Sequence, residues 1–146
     1  MLTKKHLLIK RSGIPGAGKG LFTKIDIPKG RCIVEYKGKI TTWKEALQSK
    51  VFNAYVFYLN RNHVIDAKYN LKSLGRYAND ANGLSRIKGI ANNSKYVIDN
   101  GCVFLHATKD IPAGAEILVS YKKDYWDVIK YNSLLRLNQK KHSAKK

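Results

Sequence analysis

A glycine-rich stretch at residues 13–20 is the first place in the chain where residue types and spacing could do chemistry. Its sequence, GIPGAGKG, has the GxxxxGK spacing of a loop that cradles phosphates. However, Gly20 occupies the place of the hydroxyl residue that holds magnesium, and Pro28 interrupts the chain where a long helix should follow. A nucleotide triphosphatase is therefore disfavoured. Because glycine lacks a Cβ, the segment can instead bring its main chain close to another ligand, or form a flexible hairpin loop.

Metal chemistry and a disulfide framework are not indicated. The four histidines have no partner at metal-ligand spacing, which favours structural or solvated roles for them. Cys32 and Cys102 lie in apolar runs outside any CxxC motif, so we expect two buried free thiols.

Short apolar runs bounded by turn residues predict a compact, mainly β domain. The runs occupy residues 7–9, 32–36, 54–59, 64–65, 96–98, 103–105 and 117–121. Two Ile-Pro-x-Gly sequences, at residues 27–30 and 111–114, predict tight turns. Helical spacing occurs at residues 42–47, with Thr42 as the cap, and at residues 124–138, where it predicts an amphipathic C-terminal helix.

The length of 146 residues predicts one domain, over residues 1–138, followed by a basic disordered tail at residues 139–146. No apolar run approaches the roughly 18 residues that cross a bilayer, and the first residues are too weakly apolar for a signal peptide. We therefore expect no membrane partner and an intracellular location, in the cytoplasm or in the nucleoid or nucleus.

The charge is strongly positive, with 28 Lys and Arg against 10 Asp and Glu, a net of +18. Such a surplus attracts anionic partners over long range and suggests nucleic acid nearby. A solvated basic surface is the other interpretation, because total charge reveals no patch and no base-reading element.

Several motifs, in one order along the chain, resemble the signature of the SET domain, the fold of many protein-lysine methyltransferases. They are GKGLF at residues 18–22, IPKG at 27–30, EYKG at 35–38, IDA at 65–67, GRYANDA at 75–81, NSKY at 93–96, TKDI at 108–111 and EILVSY at 116–121. The resemblance covers about residues 5–126 and implies a minimal stand-alone SET protein. It also implies small β-sheets, a pseudoknot and a C-terminal helix.

The resemblance implies that S-adenosylmethionine is the cofactor and assigns residues to it. The main chain of residues 19–21 and the side chain of Asn79 would hold the cofactor, and Asp80 stands where the family usually has His. Trp126 follows where related short SET proteins carry aromatic residues over the cofactor, although the apolar face of a helix explains it equally well. The predicted cofactor-binding residues are Gly18, Lys19, Gly20, Leu21, Arg76, Tyr77, Asn79, Asp80, Tyr121 and Trp126.

Methyl transfer to lysine needs an uncharged amine, whereas the pKa of free lysine is about 10.4. An apolar channel and a nearby sulfonium both lower that pKa, and tyrosines can sheath the alkyl stem and orient the amine. By motif, Tyr121 is the first predicted catalytic residue and Tyr36 the second. The predicted channel residues are Tyr36, Tyr55, Phe57 and Val119.

Two motif positions differ from the family pattern beside Tyr121. Val119 stands where the family often has Phe or Tyr, and a small residue there leaves room for multiple methylation. Ser120 replaces the usual Asp. Without the resemblance, each of these tyrosines would more simply be a core aromatic residue.

Three classes of function stay open. The first is an active methyltransferase, monomeric or homodimeric, whose protein substrate is a chromatin or ribosomal protein. The second is a SET-like binding module inactivated through Asp80 and Ser120, and the third is a basic nucleic-acid-binding protein. Retention of Asn79, Tyr121, Tyr36 and the glycine loop together favours activity. The sequence does not name the substrate or the number of methyl groups added.

Overall fold

The computed structural model describes residues 1–48, 55–82 and 88–121 and confirms a mainly β fold. The strands are β1 (Leu7–Arg11), β2 (Lys19–Thr23), β3 (Cys32–Glu35), β4 (Lys39–Thr41), β5 (Val56–Asn60), β6 (His63–Asp66), β7 (Ser94–Asp99), β8 (Cys102–Ala107) and β9 (Glu116–Ile117). A short helix α1 (Trp43–Leu47) and a 3₁₀ helix (Leu74–Tyr77) accompany them. None of the helices in these ranges is long and apolar enough to span a bilayer. The predicted C-terminal helix and basic tail lie outside the described residues.

The strands form three small antiparallel sheets, with the orders β1-β2-β9, β3-β8-β7 and β4-β6-β5. Strands β7 and β8 are joined by Asn100 and Gly101, whose φ angles of 50° and 78° suit a two-residue hairpin turn. Strands β2 and β4 were not among the predicted runs. Because Lys19 and Gly20 open β2, the glycine-rich stretch ends in a strand, and the flexible-loop interpretation fails for these two residues.

All three sheets contribute to one hydrophobic core. Leu21 and Ile117 come from the first sheet, Ile33 and Leu105 from the second, and Ile65 from the third, and each is at most 3% exposed. Strand β8 shows the cause, since alternate residues from Val103 onwards point inward. A shared core of this kind fixes the sheets against one another and so positions the segments between them.

The two Ile-Pro-x-Gly turns are confirmed, and they pair with each other. Gly30 and Gly114 have φ angles of 89° and 90°, and the two isoleucines exchange main-chain hydrogen bonds of 2.8 Å. Asp26 accepts from an amide of the second turn and Asp110 from an amide of the first, each at 2.8 Å. Each aspartate therefore caps the turn in the opposite segment.

The prediction for α1 is confirmed, because the Thr42 side chain accepts from the amide of Glu45 at 3.2 Å. The prediction of two buried cysteines is wrong for Cys102, which is exposed at the start of β8. Cys32 is half-buried, and the desolvation raises the pKa of its thiol. Within the described ranges, no group of His, Cys, Asp and Glu side chains is arranged to hold a metal ion.

The segment that follows β9 passes between two parts of the chain that are distant from it in sequence. Leu118 pairs in parallel with Asn79, and Val119 pairs in parallel with Ser94. The amide of Val119 donates to the carbonyl of Asn79 at 2.9 Å, and Leu118 accepts at its carbonyl from Ser94. This crossing is the arrangement that the expected pseudoknot requires.

Candidate active site

Tyr121 is fixed at both of its ends by residues 78–80. Its amide donates to Asp80 Oδ2 at 2.8 Å, and its hydroxyl donates to the carbonyl oxygen of Ala78 at 2.6 Å. The ring is half-buried and packs against the main core. Two motifs that lie some forty residues apart in sequence therefore meet at one tyrosine.

Asp80 acts through its carboxylate. Besides the Tyr121 amide, it accepts from the amide of Asn82 at 2.8 Å and from Asn92 Nδ2 at 2.9 Å. Asn92 in turn accepts from the amide of Ala81 at 2.8 Å. A carboxylate that is only 6% exposed needs several such donors, and here it has them. The motif marked Asp80 as a departure from the usual His and gave no signal of this side-chain role.

Asn79 joins the segment that follows β9 to β2, which begins with Lys19 and Gly20 and which we call the glycine strand. Its side-chain Nδ2 donates to the carbonyl of Lys19 at 3.0 Å, while its main-chain carbonyl accepts from the amide of Val119 at 2.9 Å. The side chain of one residue and its main chain thus hold two different elements. Any shift of Asn79 should move β2 relative to the segment that ends in Tyr121.

Glu116 holds the start of the glycine loop, residues 12–18. Its Oε1 accepts from Ser12 Oγ at 2.6 Å and its Oε2 from the amide of Gly13 at 3.1 Å. The loop is closed at its base by a 2.8 Å bond from the Ser12 amide to the Gly18 carbonyl. A Cβ on Gly20 would collide with the Glu116 carboxylate, so a larger residue there would displace that side chain. No sequence motif predicted that Glu116 holds the glycine loop.

A cleft of about 510 Å³ lies beside the glycine loop. It is lined by Arg11, Ser12, Gly13, Ile14, Pro15, Gly16 and Gly18. Gly16 and Gly18 have φ angles of 79° and 71°, and no atom lies within 4 Å of where their Cβ would stand. Gly20 and Leu21 are buried behind the loop in β2. Glycine main chain therefore makes up much of this cleft, with Arg11 and Pro15 also exposed at its wall, and the main chain offers amide and carbonyl partners to a ligand.

Arg76 is a buried cation without a full set of partners. It is 8% exposed, and its guanidinium carbon lies 4.0 Å from the ring centre of Tyr55 and 5.1 Å from that of Tyr77. The faces of these two aromatic rings attract the positive charge of the guanidinium group. Its Nε and Nη1 nevertheless have no hydrogen-bond partner among the residues that the structure describes. Donors of this kind are costly when they have no acceptor, which makes Arg76 a candidate for binding a carboxylate or another anion.

An aromatic cluster surrounds Tyr121, and Tyr96 is at its centre. Tyr96 stacks on Tyr121 with ring centres 6.3 Å apart at 20°, meets Phe57 edge-on at 4.9 Å, and meets Tyr36 edge-on at 6.1 Å. Tyr96 lies within a motif and a predicted strand, but it was not among the predicted site residues. Its two-residue spacing from the buried Ser94 in β7 was the available signal, since it places both on one face.

The remaining predicted channel residues also belong to this region. Tyr36 is 6% exposed and donates its hydroxyl to the carbonyl of Tyr55 at 2.6 Å, and its ring lies 5.9 Å from that of Phe57. Val119 is fully buried in the same core. The Val119 amide is hydrogen-bonded to the Asn79 carbonyl, so the small Val119 side chain is fixed close to the point where the segment after β9 passes Asn79.

A family model for the SET domain matches residues 18–122 of the chain. The chain belongs to the SET-domain family. It is 29% identical over 132 residues to N-lysine methyltransferase KMT5A of Xenopus tropicalis and 30% identical over 132 residues to N-lysine methyltransferase KMT5A-A of Xenopus laevis. Each match covers 82% of this chain and 37% of the relative, so the chain spans little more than a third of these relatives' length.

The fold of this SET domain is also similar to a solved structure. The methyltransferase domain of human PR domain-containing protein 2 aligns with a TM-score of 0.60 at 22% identity, covering 82% of this chain and 79% of that chain. At that identity the likeness establishes the fold.

Within this SET domain, the predicted site residues fall into two connected groups. One group lies at the glycine strand and comprises Gly18, Lys19, Gly20 and Leu21. The other lies at the crossing and its aromatic cluster and comprises Tyr36, Tyr55, Phe57, Arg76, Tyr77, Asp80, Val119 and Tyr121. Asn79 bonds to both groups. Trp126 lies outside the described residues.

Proposed function

We propose that this SET domain is an S-adenosylmethionine-dependent protein-lysine N-methyltransferase that acts on a nucleic-acid-associated protein of the chromatin or ribosomal kind. The observation that carries the proposal is a short hydrogen-bonded path. The Tyr121 hydroxyl is bonded to Ala78, and the next residue, Asn79, is bonded to Lys19 in the glycine strand. The relatives named as N-lysine methyltransferases support lysine as the acceptor, and the basic surface supports the substrate class.

The residues of the candidate site fit S-adenosylmethionine in their types and in their available hydrogen-bonding groups. S-adenosylmethionine supplies, when bound, an electrophilic methyl group on a sulfonium. Its carboxylate is the acceptor that the two unsatisfied donors of Arg76 lack, and guanidinium and carboxylate form strong paired hydrogen bonds. The open main chain at Gly16 and Gly18 and the amide of Asn79 suit its polar groups. We assign these residues to cofactor binding.

Tyr121 would orient the lysine amine. Because the hydroxyl gives its proton to Ala78, its oxygen keeps lone pairs that can accept an N–H from the amine. That contact would hold the amine in one orientation, and alignment of reacting groups can lower the barrier by several kcal/mol. The rings of Tyr96 and Tyr36 exclude water, and desolvation lowers the pKa of an incoming lysine towards the neutral form that reacts.

Asp80 supports an active site over an inactive binding module. Its carboxylate bonds to the amide of Tyr121 and so helps to position the catalytic hydroxyl. The residue that departs from the family pattern therefore contributes to the placement of the tyrosine. An inactive module has no chemical need for that placement.

Val119 leads us to expect more than one methyl group per lysine. A valine in this buried position occupies less volume than the Phe or Tyr that the family often has there. Mass spectrometry of a methylated substrate peptide should show dimethyl and trimethyl products. A product that stays monomethylated at full conversion would contradict this expectation.

The proposal is tested by calorimetry and by methyl labelling. Titration of the full chain with S-adenosylmethionine should give saturable binding, and labelled cofactor should transfer its methyl group to protein in a mixture of histones and ribosomal proteins. The label should be absent with Tyr121→Phe as the matched control. If calorimetry detects no binding at millimolar cofactor, the enzyme assignment is wrong.

A further inference from the structure

The acidic side chains of the described region are mostly engaged with groups other than lysine and arginine. Each of six accepts a hydrogen bond from a main-chain amide or a hydroxyl, namely Asp26, Glu45, Asp66, Asp80, Asp110 and Glu116. Most lysines of the described residues are exposed, so the positive surplus is carried on the surface.

One segment between β6 and the 3₁₀ helix combines charge with exposed apolar groups, and we call it the 68–72 loop, Lys-Tyr-Asn-Leu-Lys. Tyr69 is 84% exposed and Leu71 is 67% exposed, the two highest values among the large apolar side chains that the structure describes. Lys68 and Lys72 flank them, and the Lys68 ammonium lies 5.3 Å from the Tyr69 ring centre. Large apolar groups held in solvent beside cations suggest a contact surface.

The 68–72 loop is held in place by its own hydrogen bonds. Two turns follow each other, closed by bonds from the Asn70 amide to Ala67 at 3.1 Å and from the Ser73 amide to Asn70 at 3.0 Å. The Tyr77 hydroxyl also donates to the carbonyl of Leu71 at 3.3 Å. The exposed side chains therefore stand on a preorganised backbone, which lowers the entropy lost on binding.

Lys37 extends the positive surface of the loop. Its amide donates to Ser73 Oγ at 3.1 Å, and its carbonyl accepts from Asn70 Nδ2 at 3.5 Å, so the two segments are joined. The side chain of Lys37 is exposed. Residues 67–79 contain no Asp or Glu. Two lysines of the loop and Lys37 on the segment bonded to it therefore accompany the exposed Tyr69, and the loop itself contains no acidic residue.

We propose that the 68–72 loop, with Lys37, binds single-stranded nucleic acid. Tyr69 stacks on an unpaired base, and Lys37, Lys68 and Lys72 contact the phosphates. A single strand is favoured because a ring projecting from a turn needs an exposed base face, which a duplex does not offer. A lipid surface is disfavoured because one tyrosine and one leucine bury too little apolar area to anchor a protein. This function goes beyond methyl transfer and does not depend on it.

The test is fluorescence anisotropy of the full chain with a labelled 15-nucleotide single strand in the absence of cofactor. Removing one stacked ring costs roughly 1–3 kcal/mol, so Tyr69→Ala should raise the Kd by about 5- to 150-fold, whereas Tyr69→Phe should leave it near the parent value. The double variant Lys37→Ala/Lys72→Ala should reduce the slope of log K against log salt by about 1.4, two contacts at roughly 0.7 each.

A matched pair of lysines elsewhere provides the control. Lys24→Ala/Lys109→Ala removes the same charge from exposed positions outside the loop, and it should leave the affinity within about threefold of the parent. Equal loss in the two double variants would overturn the proposal in favour of diffuse charge. Binding that is insensitive to Tyr69→Ala, or that occurs only with vesicles of anionic lipid, would overturn it as well. Thermal melts of each variant, together with cofactor calorimetry, show whether the fold and the methyl-transfer site are intact.

Discussion

The glycine loop and the aromatic cluster form the two ends of the candidate site, and they are built in opposite ways. At the glycine loop much of the surface is main chain, and one carboxylate, Glu116, holds the loop from behind. At the aromatic cluster, rings pack on rings, and the hydroxyls of Tyr36 and Tyr121 are bonded to main-chain carbonyls. The first end should tolerate changes of exposed side chains but not a Cβ on Gly20. The second should depend on particular rings and hydroxyls.

This contrast predicts separable effects on binding and on turnover. Changes at the aromatic cluster should lower kcat with little change in cofactor affinity, and changes at the glycine loop should weaken the cofactor first. Asn79 and Arg76 are the exceptions, because Asn79 bonds to both ends and Arg76 packs against Tyr55 but is assigned to the cofactor. Variants at each end, compared in the same assays, test whether effects on kcat and on cofactor affinity are separable.

The largest expected effect is on turnover at Tyr121. Tyr121→Phe removes the hydroxyl that would orient the amine and leaves the Ala78 carbonyl without its donor. Loss of one positioned hydrogen-bonding group at a reacting centre typically lowers kcat by about 100-fold or more. Single-turnover methylation should show this loss, while calorimetry should show a cofactor Kd within about threefold of the parent.

Equal turnover for Tyr121→Phe and the parent would show that another group orients the amine. A large loss of cofactor affinity in the same variant would break the comparison differently, because it would place Tyr121 in the binding end of the site.

The next effect in size concerns two glycines that face the same carboxylate. A Cβ on Gly20 would collide with Glu116, whereas a Cβ on Gly13 would stand 3.6 Å from it, an ordinary contact. Gly20→Ala should therefore displace Glu116 and lower the free energy of unfolding by about 2 kcal/mol, with weaker cofactor binding. Gly13→Ala is the matched control and should be close to neutral. Denaturant unfolding and calorimetry measure both quantities, and indistinguishable variants would show that Glu116 does not hold the loop.

Much of the fold could be predicted from local patterns, because strands and turns depend on neighbouring residues. The alternation in β8, the two Ile-Pro-x-Gly turns and the Thr42 cap are of this kind. Strand β2 was missed because its glycine and its lysine weaken the strand pattern. Its pairing with β1 and β9 forms it regardless of that weak propensity.

The site was predictable where a motif names a residue and not where only the fold creates a contact. Asn79 and Tyr121 followed from the motifs. The bonds of Glu116 to Ser12 and of Asp80 to Tyr121 join residues 104 and 41 positions apart, and no local pattern encodes such pairs. Cys102 shows the same limit of local patterns. Its neighbours in sequence are apolar, but it is exposed at the hairpin end of β8.

Asn79 tests the connection between the two ends. Asn79→Ala removes the bond to the Lys19 carbonyl and one amide available to the cofactor, so we expect the cofactor Kd to rise about 10-fold. Asn82→Ala is the control, because Asn82 is exposed and its bond to Asp80 uses the main-chain amide, which alanine retains. Calorimetry compares the two variants. A similar small change in both would mean that Asn79 contributes to the fold and not to cofactor binding.

The smallest expected effect lies at Tyr96, and it decides whether ring packing at the aromatic cluster matters for turnover. Tyr96 touches Tyr121, Phe57 and Tyr36, so its ring limits how far the Tyr121 ring can tilt. Aromatic pairs contribute about 0.5–1.5 kcal/mol beyond area burial, so Tyr96→Leu should lower kcat by about 3- to 10-fold with the cofactor Kd unchanged. Tyr96→Phe keeps the ring and should retain most of the turnover. If the Leu and Phe variants turn over equally, the hydrogen bonds that Tyr121 donates to Ala78 and Asp80 position it without help from the stacked Tyr96 ring.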